Sequence, residues 1–209
     1  MRDIILASAS PRRKELLGAL IDDFKVVAAN LDEPLGAQPM EDAKALALAK
    51  AVHVAYGFPA AVVIGADTIV FDGPTSYGKP LDAEDASAMW AVLRGRPHRV
   101  VTAFAVIGAG RQLVEASASE VELTNLDDAA VAAYIASGRP LDKAGAYAIQ
   151  DEDVPTVARL AGCYCSVMGL PLWRLKPALE SVGVTCRDPA ATFERCRTCP
   201  ESPKRPDTS

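Results

Sequence analysis

Two apolar runs flank a short glycine-containing turn in the middle of the chain. The runs cover residues 100–107 and 113–123, and Gly108-Ala109-Gly110 lies between them. Runs of this length around a tight turn predict two long antiparallel strands. The second run alternates only imperfectly between apolar and polar residues, which indicates a β-bulge. A chain with such a ribbon has to build its core on a β-sheet.

Helical patterns separate the remaining strand-like runs. Strands are predicted at residues 4–7, 24–28 and 61–71. Apolar residues at three- and four-residue spacing, together with capping residues, predict helices at residues 11–20, 40–56, 82–93, 127–137 and 171–182. Helices that alternate with strands, combined with an antiparallel ribbon, predict an α/β protein with a mixed, twisted sheet.

The composition sets the size of the core and the extent of the domain. The chain has 209 residues, of which 50% are hydrophobic, enough for one ordinary domain or for two small lobes that share a cleft. From about residue 185, Pro, Arg, Ser, Thr and Cys dominate and the hydrophobic periodicity ends. We therefore predict one domain over residues 1–184 and a poorly ordered C-terminal extension over residues 185–209.

The charge balance restricts the partners. A net charge of −5 argues against a general nucleic-acid binder, which needs a basic surface to meet phosphates. A local basic pocket for one small anion is still compatible with this charge. No apolar run approaches the roughly 20 residues of a membrane span, and residues 2–12 do not resemble a secretory signal. We expect a cytoplasmic protein with neither a membrane nor a nucleic-acid polymer as partner.

The cysteines do not form an obvious framework. There are five of them, and an odd number in a chain with a large core does not favour disulfide bonding. Cys196 and Cys199 have the spacing of metal-binding or redox pairs. No second pair of Cys or His lies near them in the sequence, so an inert pair within the extension is the favoured interpretation.

The junction between the first strand and the first helix is rich in cations. Ser10 is placed to cap a helix that begins at Pro11, and Arg12, Arg13 and Lys14 fall in its first turn. Cations there oppose the helix dipole unless an anion is bound. The segment is therefore a candidate phosphate site. A solvated basic helix face is the alternative.

Asp67 interrupts an apolar strand. Burial of a carboxylate without a partner is costly, so we expect Asp67 to face a cleft, a metal or a cation. The alternative is a structural aspartate that caps a nearby backbone turn.

Three further residues carry weaker signals. Lys79 lies between Gly78 and Pro80, a pattern that by itself indicates a turn and not a Walker loop. Gln150 follows a stretch of small residues, and its amide suits the edge of a nucleobase unless it is a surface residue of a tight loop. His98 precedes a strand, and a structural role is expected for it.

These segments occur in the order typical of one family. They resemble the motifs of the Maf family of nucleoside triphosphate pyrophosphatases, also called septum-formation inhibitor proteins, over roughly residues 2–183. Several motifs in series are far more specific than any one of them. The matching segments are Ser8-Ala9-Ser10-Pro11-Arg12-Arg13, Gly65-Ala66-Asp67-Thr68, Gly78-Lys79-Pro80, His98 with Thr102, Asp142-Lys143-Ala144-Gly145-Ala146-Tyr147 with Gln150, and Val167-Met168-Gly169-Leu170-Pro171-Leu172.

The resemblance implies a fold and a reaction. The fold is the elongated α/β fold of the inosine triphosphate pyrophosphatases, with two lobes around a central cleft. The reaction is hydrolysis of a nucleoside triphosphate to a monophosphate and pyrophosphate, with Mg²⁺ or Mn²⁺ as the divalent metal. The resemblance implies catalytic roles for Asp67, Glu33, Lys79 and Lys50. Asp67 is the implied proton acceptor, and Glu33 and Asp67 are the implied metal ligands.

The resemblance also implies a substrate class. The substrate-binding positions fall on Ser10, Arg12, Arg13, Thr68 and Gln150. Arg12, Thr68 and Gln150 match the subgroup that acts on dTTP and UTP, which implies removal of these or of modified pyrimidine triphosphates. Two alternatives stay open: a non-catalytic nucleotide-binding regulator of cell division, and a pyrophosphatase of different base preference. A homodimer is expected.

The chain departs from the family pattern at three places. Ala148 stands where glycine is usual, and the acidic run 151–153 follows Gln150, where it can repel a phosphate or help to hold a metal. Cys163 and Cys165 lie in a stretch that is usually richer in Ser and Asn.

Overall fold

One seven-stranded mixed sheet organises the molecule. The structure is a computed structural model, and it describes residues 2–34 and 36–203. The strands are β1 (Ile4–Leu6), β2 (Lys25–Val26), β3 (Val62–Asp72), β4 (Thr75–Tyr77), β5 (Pro97–Gly108), β6 (Arg111–Leu123) and β7 (Val157–Ala161). Their order in the sheet is β2-β1-β3-β5-β6-β7, and β4 pairs with β3.

The sheet has a parallel edge and an antiparallel body. β1 runs parallel to β2 and β3, whereas β3, β5, β6 and β7 follow one another in antiparallel order. The predicted ribbon is confirmed as β5 and β6, joined by a turn in which Ala109 and Gly110 have positive φ angles. The β5–β6 pairing is continuous, so the ribbon itself has no bulge. The register irregularity occurs in the pairing of β6 with β7, between Glu122 and Leu123.

Helices cover both faces of the sheet. They are α1 (Pro11–Leu20), α2 (Pro39–Gly57), α3 (Ala83–Leu93), α4 (Asp128–Ala136), α5 (Tyr164–Met168), α6 (Leu172–Ser181) and α7 (Pro189–Thr192). The caps expected at Ser10 and Asp82 are present, since their side chains accept hydrogen bonds from Arg13 N and Asp85 N. The predicted α/β class and its five longer helices are confirmed, while β4, β7, α5 and α7 were not predicted.

Alternate residues of β3 face different cores. Val63 and Ile69 pack in the cluster under α2. Ile64 packs in the cluster with α1 and α6, and Val70 packs in a third cluster with α3 and α4. Because side chains alternate across a strand, Asp67 faces α2 and Thr68 faces the opposite side, between the other two clusters. The middle of β3 thus presents polar groups where three cores meet.

The C-terminal segment is packed onto the domain. Cys196 is fully buried, Arg187 N donates to Leu20 O at 2.8 Å, and Trp173 Nε1 donates to Cys196 O at 3.0 Å. For residues 185–203, the expectation of a poorly ordered extension is therefore wrong. The apolar side chains of this segment are too few and too irregularly spaced to give a periodic signal. Residues 204–209 lie outside the described residues.

Within the described ranges, no helix has both the length and the apolar character needed to cross a bilayer.

Candidate active site

A cavity of about 670 Å³ opens beside the middle of β3. Its walls come from the start of α1, the inner face of α2, the turn after β4, the segment 142–150 and the end of α5. All the residues that the sequence assigned to a site line this cavity: Ser10, Arg12, Arg13, Glu33, Lys50, Asp67, Thr68, Lys79 and Gln150. Its volume is that of a typical small-molecule site.

The cavity has a different charge from the whole chain. Among its described lining residues the cations outnumber the anions, although the chain carries a net charge of −5. The cations are Arg12, Arg13, Lys50, Lys79 and Lys143, and the anions are Glu33, Asp67 and Asp142. A local excess of positive charge in a concave site attracts small polyanions in spite of the acidic surface around it.

Lys50 holds two carboxylates at the floor of the cavity. Its Nζ lies 2.6 Å from Asp67 Oδ1 and 2.7 Å from Glu33 Oε1. Lys50 and Asp67 are 5% and 4% exposed, so their pairing offsets part of the cost of burying either charge alone. The expectation that Asp67 faces a cation in a cleft is confirmed.

Gly65 sets the approach of α2 to β3. A Cβ atom at this position would stand 2.2 Å from Ala47 O and 2.7 Å from Ala51 N. Only glycine lets the helix backbone come this close. The close approach brings Lys50 of α2 against Asp67, two residues beyond Gly65 on the strand.

The environment moves the pKa values of the two carboxyl groups in opposite directions. Burial raises the pKa of Asp67, against the lowering effect of the charges of Lys50 and Arg13. Burial also acts on Glu33, but the hydrogen bond from Lys50 and the charges of Lys50 and Lys79 outweigh it and lower its pKa. Paired acids whose pKa values are pushed apart are typical of sites where one group takes up a proton and the other stays ionised.

Arg13 connects three elements of the site. Its Nε donates to Gly169 O at 3.0 Å and its Nη2 donates to Thr68 Oγ1 at 3.1 Å. Thr102 donates its hydroxyl proton to Ser166 O, so Thr68 donates to Thr102 Oγ1 in the contact of 2.8 Å between them. Burial lowers the pKa of Arg13, and its hydrogen-bond partners are uncharged. Its charge is therefore held in place but not neutralised.

The other predicted cations differ in how far they are already paired. Arg12 Nη1 contacts Asp142 Oδ2 at 3.1 Å, and Asp142 also binds Lys143. Lys50 is matched by two carboxylates. Among the described residues, exposed Lys79 forms no ion pair. Within the described lining, Arg13 and Lys79 are thus the cations whose charge no carboxylate already pairs. The sequence alone could not distinguish them from Arg12 and Lys50.

Gln150 lies on a loop tied to the Lys79 turn. Gly145 N donates to Gly78 O at 3.0 Å, and Trp90 Nε1 donates to Ala146 O at 2.8 Å. The Gln150 side chain makes no hydrogen bond to another described residue and is half-buried against the cavity. Its amide is therefore available to a ligand.

The acidic run after Gln150 does not line the cavity. Asp151 accepts a hydrogen bond from Tyr134 Oη at 2.5 Å, and Asp153 pairs with Arg139 at 3.3 Å. The structure thus directs these carboxylates to α4 and the segment after it. The departure from the family pattern at 151–153 leaves the charge of the cavity unchanged.

His98 is a structural residue, as expected. It is 3% exposed, lies outside the cavity lining, and its Nε2 is 2.9 Å from Tyr147 Oη. Sequence reasoning assigned no site role to two lining residues, Asp142 and Lys143. The signal for them was the run of small residues that follows, which allows close backbone approach to the Lys79 turn.

Comparison with known proteins agrees with this geometry. The family model described as Maf-like protein matches residues 3–182. The chain belongs to the Maf-like family. The match stops before the C-terminal segment and includes every described residue that lines the cavity.

Relatives of this Maf-like protein carry one common name. A protein of Thermomicrobium roseum is 42% identical over 205 residues, which cover 96% of this chain and 94% of the relative. A protein of Geotalea uraniireducens is 45% identical over 185 residues, with 87% of this chain and 95% of the relative covered. A protein of Thermococcus gammatolerans is 42% identical over 83% of this chain and 95% of the relative. All three are named dTTP/UTP pyrophosphatase.

Proposed function

We propose that this protein hydrolyses dTTP, UTP or related modified pyrimidine nucleoside triphosphates to the monophosphate and pyrophosphate. The observation that carries the proposal is the pair Asp67 and Glu33, bound to one buried lysine and shifted in pKa in opposite directions within a cationic cavity. The names of the relatives support the same reaction and the same bases.

In the proposed reaction, water attacks the α-phosphorus in line with the departing pyrophosphate. A bond forms from the water oxygen to phosphorus, and the bond from phosphorus to the bridging oxygen breaks, with its electron pair leaving on pyrophosphate. Asp67 accepts the proton that the water loses. Its raised pKa makes it a better base than an exposed carboxylate. The hydrogen bond from Lys50 fixes the position of its carboxylate group.

The cations of the cavity act on the phosphates. Arg13 is fixed by Gly169 and Thr68, so it can meet a phosphate oxygen without reorganising. Lys79 is exposed and follows a glycine, so it can reach the β- or γ-phosphate as a point charge. Phosphoryl chemistry of this kind depends mainly on positioning and charge stabilisation.

The donor set of the cavity fits a hard divalent cation. Its described lining offers the carboxylates Glu33 and Asp67 and contains neither His nor Cys. Mg²⁺ and Mn²⁺ prefer one or two carboxylates completed by phosphate oxygens and water. We propose that Glu33 and Asp67 hold this ion together with the substrate. When bound, it would lower the pKa of its water and neutralise phosphate charge.

Base choice is proposed to rest on Gln150 with support from Arg12 and Thr68. Thymine and uracil present an acceptor–donor–acceptor edge, and one amide can donate to a carbonyl and accept from the ring N–H. Thr68 is engaged by Arg13, and Arg12 by Asp142, so Gln150 is the group of the three with both polar atoms available. An amide turned end for end can also pair with cytosine or adenine. Discrimination therefore depends on Arg12 and Thr68 holding the base and the Gln150 amide in one relative orientation.

Pyrophosphate release, assayed across a panel of pyrimidine and purine triphosphates, tests this function. We expect dTTP and UTP to be hydrolysed well above dATP, GTP and methylated GTP. Tight binding of a triphosphate without turnover would favour the nucleotide-binding regulator instead, and a purine preference would favour the alternative pyrophosphatase. The homodimer and the cytoplasmic location stay predictions.

A further inference from the structure

Four of the five cysteines converge away from the cavity. Cys163 and Cys165 lie at the start of α5, and Cys196 and Cys199 come from the C-terminal segment. All four are at most 8% exposed, whereas Cys186 is half-buried and outside the group. No second cysteine pair lies near Cys196 and Cys199 in the sequence. The fold brings Cys163 and Cys165, more than thirty residues earlier in the chain, next to them.

The sulfur atoms are close enough to share one ion. Cys165 Sγ is 3.3 Å from Cys196 Sγ, and the Cys163 side chain is within hydrogen-bonding reach of Cys165 and Cys199. The ligand atoms of Cys163, Cys199 and Glu201 all lie within 4.8 Å of one another. Sulfurs that bind one tetrahedral zinc at 2.3 Å stand about 3.8 Å apart. Small rotations would bring Cys163, Cys199 and Glu201 to bonding distance of one ion, whereas Cys165 lies outside this group and has to turn away from Cys196 to join it.

Glu201 supplies an independent indication of a cation. Its Oε1 accepts hydrogen bonds from Arg174 Nε and Ser117 Oγ, each at 2.7 Å. Its Oε2 is buried and has no hydrogen-bond partner among the described residues. A buried carboxylate oxygen without a partner is costly. A carboxylate oxygen of Glu201 lies within 4.8 Å of the Cys163 and Cys199 sulfurs, and a cation bound there would satisfy the unpartnered Oε2.

We propose that Cys163, Cys199 and Glu201 bind one structural zinc ion, and that Cys165, after rotation of its side chain away from Cys196, supplies the fourth ligand. Thiolate and carboxylate ligands in a closed, buried group favour zinc over the hard cations of the cavity. Binding releases the three thiol protons to solvent, and Arg174 offsets part of the remaining negative charge. The ion fastens the C-terminal segment to the start of α5.

Surrounding hydrogen bonds already orient these ligands. Ser166 N donates to Cys163 Sγ at 3.4 Å, and Cys163 N donates to Ser119 Oγ at 3.0 Å. Arg174 and Ser117 fix the Glu201 carboxylate through its other oxygen. Partners of this kind hold the ligands of structural metal sites in orientation.

Metal content of the full-length protein, purified with a thiol reductant, tests the proposal. The protein is stripped with a chelator, reloaded with ZnCl₂, desalted and analysed for zinc and iron. We expect one zinc per chain in the wild type and in the control Cys186→Ser, and loss of the zinc in Cys163→Ser and Cys199→Ser. Glu201→Gln, which keeps the size of the side chain, should weaken zinc binding at least tenfold.

A structural readout accompanies the metal analysis. Zinc removal should speed tryptic cleavage at Arg195 and Arg197 and lower the melting temperature, and both changes should reverse when ZnCl₂ is added. Failure of the reduced wild type to bind zinc would overturn the proposal, whatever the state of the variants. Stoichiometric iron, full zinc in Cys199→Ser, unchanged affinity in Glu201→Gln, or a Cys165–Cys196 disulfide in freshly isolated protein would also overturn it.

Discussion

The two ends of α5 lie in different environments, a charged cavity and a buried cluster of cysteines. At its C-terminal end, Met168 and Gly169 line a cavity of ammonium, guanidinium and carboxylate groups. At its start, Cys163 and Cys165 join a dry cluster of sulfur atoms. The cavity leaves Arg13 and Lys79 with charge to offer to a ligand, whereas the cysteine cluster is closed to solvent. The short helix α5 thus separates an open cavity, which can bind and release a ligand, from a buried cluster of cysteines.

The largest difference between the two ends is expected when the base is removed. Asp67→Asn keeps the size of the side chain but cannot take up a proton, so turnover should fall by about 10²- to 10⁴-fold. Measurement of pyrophosphate release at saturating metal, with circular dichroism to check the fold, tests this. Asp153→Asn, at an acid outside the cavity, is the control. Near-wild-type turnover in Asp67→Asn would remove Asp67 from the chemistry.

The acid limb of the pH profile gives a second readout of Asp67. In the proposed reaction, activity needs the carboxylate of Asp67, whose pKa lies above the ordinary 3.8 because of burial. In the wild type, kcat/KM should therefore fall as the pH drops through this raised pKa. If kcat/KM of the Asp67→Asn variant falls at low pH in the same way as in the wild type, a group other than Asp67 causes the fall.

Loss of an unpaired cation should have the next largest effect. Lys79→Ala removes a charge-assisted hydrogen bond worth about 1.5–3 kcal/mol, which corresponds to a drop in kcat/KM of about 10- to 150-fold. The affinity for the monophosphate product should change far less. Lys176→Ala, at a lysine paired with Glu180 outside the cavity, is the control. Equal losses for triphosphate and monophosphate would show that Lys79 does not contact the β- or γ-phosphate.

Replacement of the available amide should change selectivity more than rate. In Gln150→Ala, the preference for dTTP over dATP should fall by about 5- to 150-fold, since an unpaired buried polar group costs about 1–3 kcal/mol. The ratio of kcat/KM values for the two substrates measures this. Unchanged selectivity with lower activity would move base recognition to another part of the cavity.

The smallest effect on turnover is expected from removal of the C-terminal segment. A chain ending at residue 184 loses the contacts of Cys196 and Arg187, so its melting temperature should fall. Its turnover per folded molecule should stay unchanged, because none of the described residues 185–203 lines the cavity. A loss of activity without a loss of stability would show that the C-terminal segment contributes to the function of the cavity.

Much of the cavity could be predicted because its residues lie in motifs of fixed order. Ser10, Asp67 and Gln150 each belong to a short segment whose local pattern is informative before folding. Their pairing could not be predicted in the same way. The contacts of Arg12 with Asp142 and of Arg13 with Gly169 join positions more than 100 residues apart, and they decide which cations are available.

The C-terminal segment shows why the remainder was missed. Local composition there indicated disorder, since a few buried residues among many polar ones give no periodicity. Cys196 is buried only because Cys165 and Trp173 lie across from it in the fold. β7 was missed for a related reason, because its residues are mostly exposed and lack the alternation of a half-buried strand.

The contact between Gly65 and the main chain of α2 sets the spacing of Lys50 and Asp67 through the backbone. The main chain of α2 rests against this glycine, so the distance from Lys50 to Asp67 does not depend on the packing of an intervening side chain. Laboratory evolution toward other nucleotides can therefore vary the residues that line the cavity around Gln150 and Lys79. Any library that diversifies position 65 would separate helix from strand and lose catalysis whatever base the cavity accepts.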